Sequence, residues 1–180
     1  MIKKNSTYKI IKNNFERAAI QKKNKNYEVA LDFLKKNITL DPKIYESYFN
    51  IANIYEEIGN FDEAIKYLIK ASEINPKDYE IKVNLGNIYI HKELYKEAME
   101  QFQLAFRINS RDYRISNSVG MLQRKFNNNI NAKDAFEYSL SLDPTNEFAI
   151  NQLSIIERSI GNYERGLKLI YQLTGKISLK

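Results

Sequence analysis

The sequence lacks cysteine and tryptophan and contains a single histidine, His91. Without cysteine the chain can form neither a disulfide nor a thiolate metal site. One histidine cannot supply the clusters of imidazole ligands that zinc centres use. The six glycines are scattered singly, so there is no glycine-rich phosphate loop and no GxSxG nucleophile motif. We therefore predict that the protein is not an enzyme and needs no metal and no cofactor.

Long apolar runs are also absent. No stretch approaches the roughly 18 consecutive apolar residues of a membrane-spanning helix. The first residues, MIKKNSTYKIIKNN, contain lysines but no apolar run of the length that a secretory signal needs. We therefore expect a cytoplasmic protein without a membrane partner.

Proline is rare and regularly spaced. The three prolines, Pro42, Pro76 and Pro144, are separated by 34 and 68 residues, one and two copies of one period. A fixed period in this range indicates a repeat array. The chain divides without insertion into five blocks of 34 residues, preceded by an N-terminal extension at 1–10; the blocks are 11–44, 45–78, 79–112, 113–146 and 147–180.

Each block has the pattern of two helices joined by a turn, which is clearest in residues 45–78. Apolar residues recur there at helical spacing, Gly59-Asn60 interrupts them, and Asn75-Pro76 ends the second series. The pattern predicts ten antiparallel helices and no strands. The breaks inside the blocks are predicted near residues 24–27, 58–61, 92–95, 126–129 and 160–163.

Small and large residues alternate at fixed places when the positions of each block are numbered 1 to 34. Position 8 is always small and position 24 is always large and apolar, and this pattern predicts packed layers that interlock by placing small residues against large ones. The residues are Ala18, Ala52, Gly86, Gly120 and Ser154 at position 8, and Leu34, Leu68, Phe102, Phe136 and Ile170 at position 24.

These repeats resemble the tetratricopeptide repeat family over residues 11–180. The resemblance rests on the pairs Ile51-Ala52, Leu85-Gly86 and Val119-Gly120 at positions 7 and 8, on tyrosine at position 11, alanine at position 20 and proline at position 32. It implies an all-α solenoid of five helix–turn–helix hairpins in a right-handed superhelical stack. It also implies a concave groove lined by positions 2, 5, 6, 9, 12 and 13 of the first helices.

The groove positions give the candidate binding residues. Asparagine amides offer both donors and acceptors to the backbone of an extended peptide, apolar side chains serve as anchors, and cations select acidic groups. The candidates are Phe49, Asn50, Asn53, Val83, Asn84, Asn87, Arg114, Asn117, Met121, Arg124 and Lys125. Asn53, Asn84 and Arg114 also match part of the carboxylate clamp of chaperone adaptors, but Phe49 and Ser118 replace two of its three cations.

The function that these features predict is a non-enzymatic scaffold that binds an extended peptide or a helix of a partner protein in the concave groove. One alternative is a targeting or substrate-recognition segment of a modifying enzyme such as a glycosyltransferase. Another is nucleic-acid binding through residues 1–44, which hold eleven basic and four acidic residues. The neighbouring repeat, with three basic and seven acidic residues, disfavours a polyanion. The last predicted helix also presents apolar residues, which suggest a homodimer through the C-terminal end; they are Leu167, Leu169, Ile170 and Leu173.

Overall fold

The described part of the chain folds as ten helices joined by short turns. The computed structural model describes residues 2–175, and within that range there is no strand. The helices are α1 Ile2–Lys23, α2 Tyr27–Leu40, α3 Tyr45–Glu57, α4 Phe61–Ile74, α5 Tyr79–His91, α6 Tyr95–Ile108, α7 Tyr113–Lys125, α8 Asn129–Leu142, α9 Glu147–Ser159 and α10 Tyr163–Thr174. The all-α prediction and the five predicted breaks are confirmed. Residues 176–180, the end of the predicted fifth repeat, lie outside the described residues, and α1 begins within the predicted extension.

The turn inside each repeat depends on one residue with left-handed backbone, always at position 15. Its φ angle lies between 57° and 85°. Glycine, which adopts this conformation without strain, occupies the position only at Gly59 and Gly161. Lys25, Glu93 and Asn127 adopt it despite their Cβ atoms, and of these only asparagine tolerates it well.

Asparagine also occupies position 16 in most repeats, directly before the second helix begins. The side-chain oxygens of Asn60, Asn128 and Asn162 each accept a hydrogen bond from the backbone N–H three residues later. Such a cap satisfies one of the backbone donors that a helix start leaves without an intrahelical partner. Part of the high asparagine content is therefore structural.

The chain divides into two compact units between Leu94 and Tyr95. In the N-terminal unit each helix packs on the next one along the chain: α1 on α2, α2 on α3, α3 on α4 and α4 on α5. Two clusters of buried residues are observed in the described core of this unit. One contains Ala18, Ala30, Leu31, Leu34, Ile51 and Ile54, and the other contains Ala52, Ala64, Leu68, Ala71, Ile81, Leu85 and Ile88.

One core cluster of the C-terminal unit contains Phe136, which is buried with Ala132, Ala149, Leu153 and Ile156. Gly120 of α7 faces the Phe136 ring so closely that a Cβ there would lie 2.7 Å from two ring carbons. The predicted packing of a small residue against a large one is thus present in this repeat, where positions 8 and 24 meet.

A carboxylate is buried in the same unit. Glu157 is fully buried, and its Oε1 lies 2.8 Å from Nζ of Lys133 and 2.9 Å from a guanidinium nitrogen of Arg165, while Asn162 donates to its Oε2 at 3.0 Å. Burial alone would raise the pKa of Glu157, but the hydrogen bond from Lys133 and the charges of Arg165 and Lys133 outweigh it and lower that pKa. Glu157 is therefore ionised in the folded protein at neutral pH.

None of the helices described between residues 2 and 175 is both long and apolar enough to cross a membrane.

Candidate functional site

The N-terminal unit contains a cleft of about 690 Å³ between α1 and α3. Its apolar surface comes from Phe15, Leu34 and Ile54, with two alanines of α1. Its polar surface comes from three basic residues on the α1 side and from Glu46, Asn50 and Glu57 on α3; the basic residues are Lys22, Lys23 and Lys25. The cleft thus combines an apolar floor with a basic edge facing an acidic edge.

The two edges of the cleft are tied together at one end. Nζ of Lys22 lies 3.2 Å from Glu57 Oε2, and the hydroxyl of Tyr27 donates to Glu57 Oε1 at 2.8 Å. The Tyr27 hydrogen bond and the Lys22 ammonium hold the pKa of the Glu57 carboxyl below its usual range. Glu57 of α3 thus contacts both Lys22 of α1 and Tyr27 of α2 at this end of the cleft.

The candidate asparagines of this unit are partly engaged with the protein itself. The Asn50 amide donates to the backbone carbonyl of Glu46 at 2.8 Å, and the Asn84 amide donates to the side-chain oxygen of Asn53 at 2.9 Å. An amide nitrogen carries two N–H groups, so each donating asparagine keeps one for a ligand. Asn53, Asn84 and Asn87 are half-buried, and the Asn53–Asn84 hydrogen bond links α3 to α5.

The two apolar candidates of this unit differ in accessibility. Phe49 is half-buried and packs against the core. Val83 is only 7% exposed, so its side chain offers little surface to a ligand.

Glu56, which is half-buried on α3, has its pKa raised by burial despite the nearby charges of His91 and Lys22.

A recurring contact that the sequence interpretation missed joins position 17 of one repeat to position 13 of the next. In each observed case an aromatic ring or its hydroxyl contacts a residue that the resemblance assigns to the groove. The pairs are Tyr27 with Glu57 (hydrogen bond, 2.8 Å), Phe61 with His91 (stacked rings, 5.3 Å between centroids) and Tyr95 with Lys125 (ammonium 4.7 Å from the ring centroid). The recurrence of aromatic residues at position 17 was the sequence feature that could have indicated this contact.

The candidate residues of the C-terminal unit lie on α7, and the cations among them have partners. Asp112 binds the Arg114 guanidinium through both carboxylate oxygens, at 3.0 and 2.5 Å. Arg124 donates to the side-chain oxygen of Gln152 on α9. With Lys125 over Tyr95, all three predicted cations contact other side chains of this unit.

The uncharged candidates on α7 are more available. Met121 is 45% exposed. Asn117 is half-buried, and its side-chain oxygen is buried without a hydrogen-bond partner.

Across residues 2–175 no group of three or more histidine, aspartate or glutamate side chains is arranged to hold a metal ion.

Comparison with known proteins agrees with the helical-hairpin architecture. The family model for the tetratricopeptide repeat matches residues 45–78 and 79–112. No curated protein matches the sequence significantly.

Solved structures match over most of the chain. A crystal structure of MamA aligns with a TM-score of 0.80 and 18% identity, over 93% of this chain and 91% of that one. PilF of Pseudomonas aeruginosa aligns with a TM-score of 0.83 and 15% identity, over 97% and 80%. YrrB, a TPR protein described as having an unusual peptide-binding site, aligns with a TM-score of 0.73 and 21% identity, over 90% and 84%. The sequence therefore matches the tetratricopeptide repeat over residues 45–112, and over most of its described length the chain has the same fold as these solved structures.

Proposed function

We propose that the protein is a non-enzymatic interaction scaffold whose N-terminal unit binds a peptide segment of a partner protein along α1, α3 and α5. The observation that carries the proposal is the cleft of about 690 Å³ between α1 and α3. Its size and its mixture of apolar floor and polar edges are those of ligand-binding sites in general. The peptide-binding site described for YrrB, which has the same fold, is consistent with it.

Binding would use two kinds of contact. An apolar side chain of the peptide would occupy the floor at Phe15, Leu34 and Ile54, where about 25 cal/mol is gained for each Å² of apolar surface removed from water. The peptide backbone would hydrogen-bond to the remaining amide groups of Asn50 and Asn84. Because each of these amides is already fixed by one hydrogen bond inside the protein, little side-chain entropy is lost when it binds a peptide.

Charge would orient the peptide rather than dominate its affinity. The cleft places basic residues on the α1 side and acidic residues on the α3 side, so a peptide of mixed charge fits in one direction better than in the other. Complementary charge of this kind affects specificity and association rate more than affinity. A uniform polyanion would meet Glu46 and Glu57, which argues against nucleic acid as the ligand.

In the C-terminal unit we propose that Met121 and Asn117 provide further contacts on α7. Arg114, Arg124 and Lys125 would then contribute by exchanging an internal partner for an acidic group of the ligand. We also propose that the protein acts in the cytoplasm, which fractionation of cells that express a tagged chain would test.

The experiment begins with capture of partner proteins by the immobilised chain and their identification by mass spectrometry. The purified partner is then titrated calorimetrically against wild type, Ala19→Trp and Ile20→Trp. Ala19 is exposed and lines the cleft, whereas Ile20, exposed by 57%, does not line it. We expect Ala19→Trp to weaken binding at least tenfold, about 1.4 kcal/mol, and Ile20→Trp to bind like wild type. Equal affinity of all three proteins would exclude the cleft as the binding site.

A second variant tests the amide contacts. Asn50→Ala combined with Asn84→Ala should weaken binding by a factor that does not change with salt concentration, because neutral hydrogen bonds are not screened by ions. A salt-dependent loss would indicate that the variant disturbs charges at the edges of the cleft instead.

A further inference from the structure

The C-terminal unit contains a second concavity, separate from the proposed peptide-binding face. It has a volume of about 370 Å³ and lies among α6, α7 and α8. Its walls include Phe106, Ser116, Val119, Ala135 and Tyr138. Val119 lies about 160° around α7 from Asn117 and from Met121, since each residue advances about 100° around a helix.

The pocket coincides with a small residue at a place where other repeats have a large one. Ser116 is at position 4 of its repeat. In the second repeat this position is Tyr48, which is half-buried with its ring centroid 6.4 Å from that of Tyr67. In the fifth repeat it is Ile150, which is 2% exposed. The fourth repeat therefore lacks a side chain whose volume these two repeats fill.

The hydrogen bond that Tyr48 makes is supplied differently in the fourth repeat. The Tyr48 hydroxyl donates to the backbone carbonyl of Pro42 at 3.2 Å. Ser110 is the equivalent of Pro42 before the fourth repeat, and its carbonyl accepts a hydrogen bond from Tyr138 at 3.3 Å. The Ser110 carbonyl thus has a hydrogen-bond donor, while the space that the Tyr48 ring fills in the second repeat stays open in the fourth.

The chemistry of the walls suits an aromatic ring with one polar atom. Phe106 and Tyr138 meet edge to face, with 5.6 Å between ring centroids, and a third ring could extend this arrangement. Ser116 is 3% exposed, and its hydroxyl oxygen has no hydrogen-bond partner. Buried hydroxyl groups without partners are rare in proteins and call for an explanation. A ligand that donates to this oxygen would provide one.

We propose that this pocket binds one aromatic side chain of a partner protein, a tyrosine or tryptophan whose O–H or N–H donates to the Ser116 hydroxyl. Gln103 and Arg107 line the pocket and are exposed, so their N–H groups are placed to bind the backbone carbonyls that flank the inserted side chain. A free ring would not use these donors, which favours a peptide. Tyrosine and tryptophan are also the residues that most often anchor protein interfaces.

The test uses acetyl-Gly-X-Gly-amide peptides with X as tyrosine, tryptophan, phenylalanine or leucine. Binding to the full chain is followed by NMR, through the backbone amides of Val119, Ala135 and Tyr138. We expect saturable shifts with the tyrosine and tryptophan peptides and at least fivefold weaker binding of the leucine peptide. Ser116→Ala keeps the space but removes the hydroxyl, so it should weaken the tyrosine peptide several-fold and leave the phenylalanine peptide unchanged.

Ser116→Tyr should fill the pocket as Tyr48 fills the second repeat, abolish peptide binding and raise the melting temperature. Asn131→Tyr, which adds the same ring at an exposed site on α8 outside the pocket, is the matched control and should bind like wild type. If Ser116→Tyr does not fold, Ser116→Leu fills most of the space with fewer atoms and should show the same loss.

Three results would overturn the proposal. The first is unchanged binding of the tyrosine peptide to the filled variant. The second is equal binding of the tyrosine and leucine peptides. The third is binding of free 4-methylphenol as tight as that of the tyrosine peptide, which would assign the pocket to a small molecule instead of a protein.

Discussion

A single added methyl group at Gly120 tests how the two helices of a repeat interlock. The Cβ of Gly120→Ala would lie 2.7 Å from two carbons of the Phe136 ring, whereas ordinary contacts of such atoms begin near 3.4 Å. Phe136 is fully buried in the core of the C-terminal unit. Because packed neighbours surround the ring, it cannot turn away, and the helices must separate slightly.

The expected cost follows from two opposing effects. Overpacking a core by one methyl group costs about 1–3 kcal/mol, while replacing glycine by alanine inside a helix returns about 1 kcal/mol. The net loss in free energy of unfolding is then about 1 kcal/mol. For a chain of this length, that lowers the melting temperature by about 2–4 °C.

A compensating substitution makes the test specific. The first two repeats have alanine at position 8 and leucine at position 24, and Ala52 and Leu68 are buried in one cluster. Phe136→Leu alone should cost about 1–2 kcal/mol through the space it leaves. Combined with Gly120→Ala it recreates the alanine–leucine pair, so the double variant should be more stable than the two single effects predict by about 1 kcal/mol. Urea titrations followed by circular dichroism would measure all four proteins, and strict additivity, or a Gly120→Ala variant as stable as wild type, would refute the reasoning.

Three further predictions concern other parts of the chain. The pKa of Glu157 is lowered from its ordinary value of 4.5, so the ionised carboxylate stabilises the fold above about pH 4.5, and this contribution is lost as the pH falls through the folded-state pKa. Glu157→Gln should therefore cost about 1–3 kcal/mol of stability at pH 7. In thermal melts between pH 3 and 7, the stability of this variant should depend less on pH than that of wild type, with exposed Glu100→Gln as the control. Glu93→Gly should raise the melting temperature by relieving about 1–2 kcal/mol of left-handed backbone strain, and the reverse change Gly59→Ala should lower it. If α10 mediates a homodimer, sedimentation should show dissociation on Leu167→Lys, since Leu167 is 51% exposed, and a monomeric wild type at high concentration would contradict the dimer.

The helices and their boundaries could be predicted because the same pattern of apolar, small and turn-forming residues recurs in five repeats. A turn that is ambiguous in one repeat is clear in another, as Gly59-Asn60 identifies the turn that Asn127-Asn128 forms without glycine. The regular alternation of small and large residues likewise predicted interlocking layers, and the structure shows that Gly120 and Phe136 form one such contact. Repetition averages out the local ambiguity that limits the interpretation of a single helix.

Features that depend on one departure from the repeat could not be predicted. Glu157 takes position 11, where the second and third repeats have tyrosine, and its burial depends on Lys133 from the preceding repeat and Arg165 from its own second helix. Leu169 was expected to be part of an exposed C-terminal surface, but it packs against the core, and Leu167 is the exposed residue. In each case the deciding contact joins separate helices, and helical periodicity does not specify it.

The contacts between positions 13 and 17 change how the charges of the groove should be interpreted. Glu57 is acidic and Lys125 is basic, and the sequence alone suggests that a ligand would meet opposite charges at these two places. In the structure, the Glu57 carboxylate accepts from Tyr27 and pairs with Lys22, and the Lys125 ammonium lies over the ring of Tyr95. The charge at position 13 therefore serves first to match the aromatic residue of the preceding repeat. Under the proposed function, the amides at positions 6 and 9 would hold the peptide backbone, and the choice between peptides is then better sought in the cleft beside Ala19, whose edges combine both signs of charge.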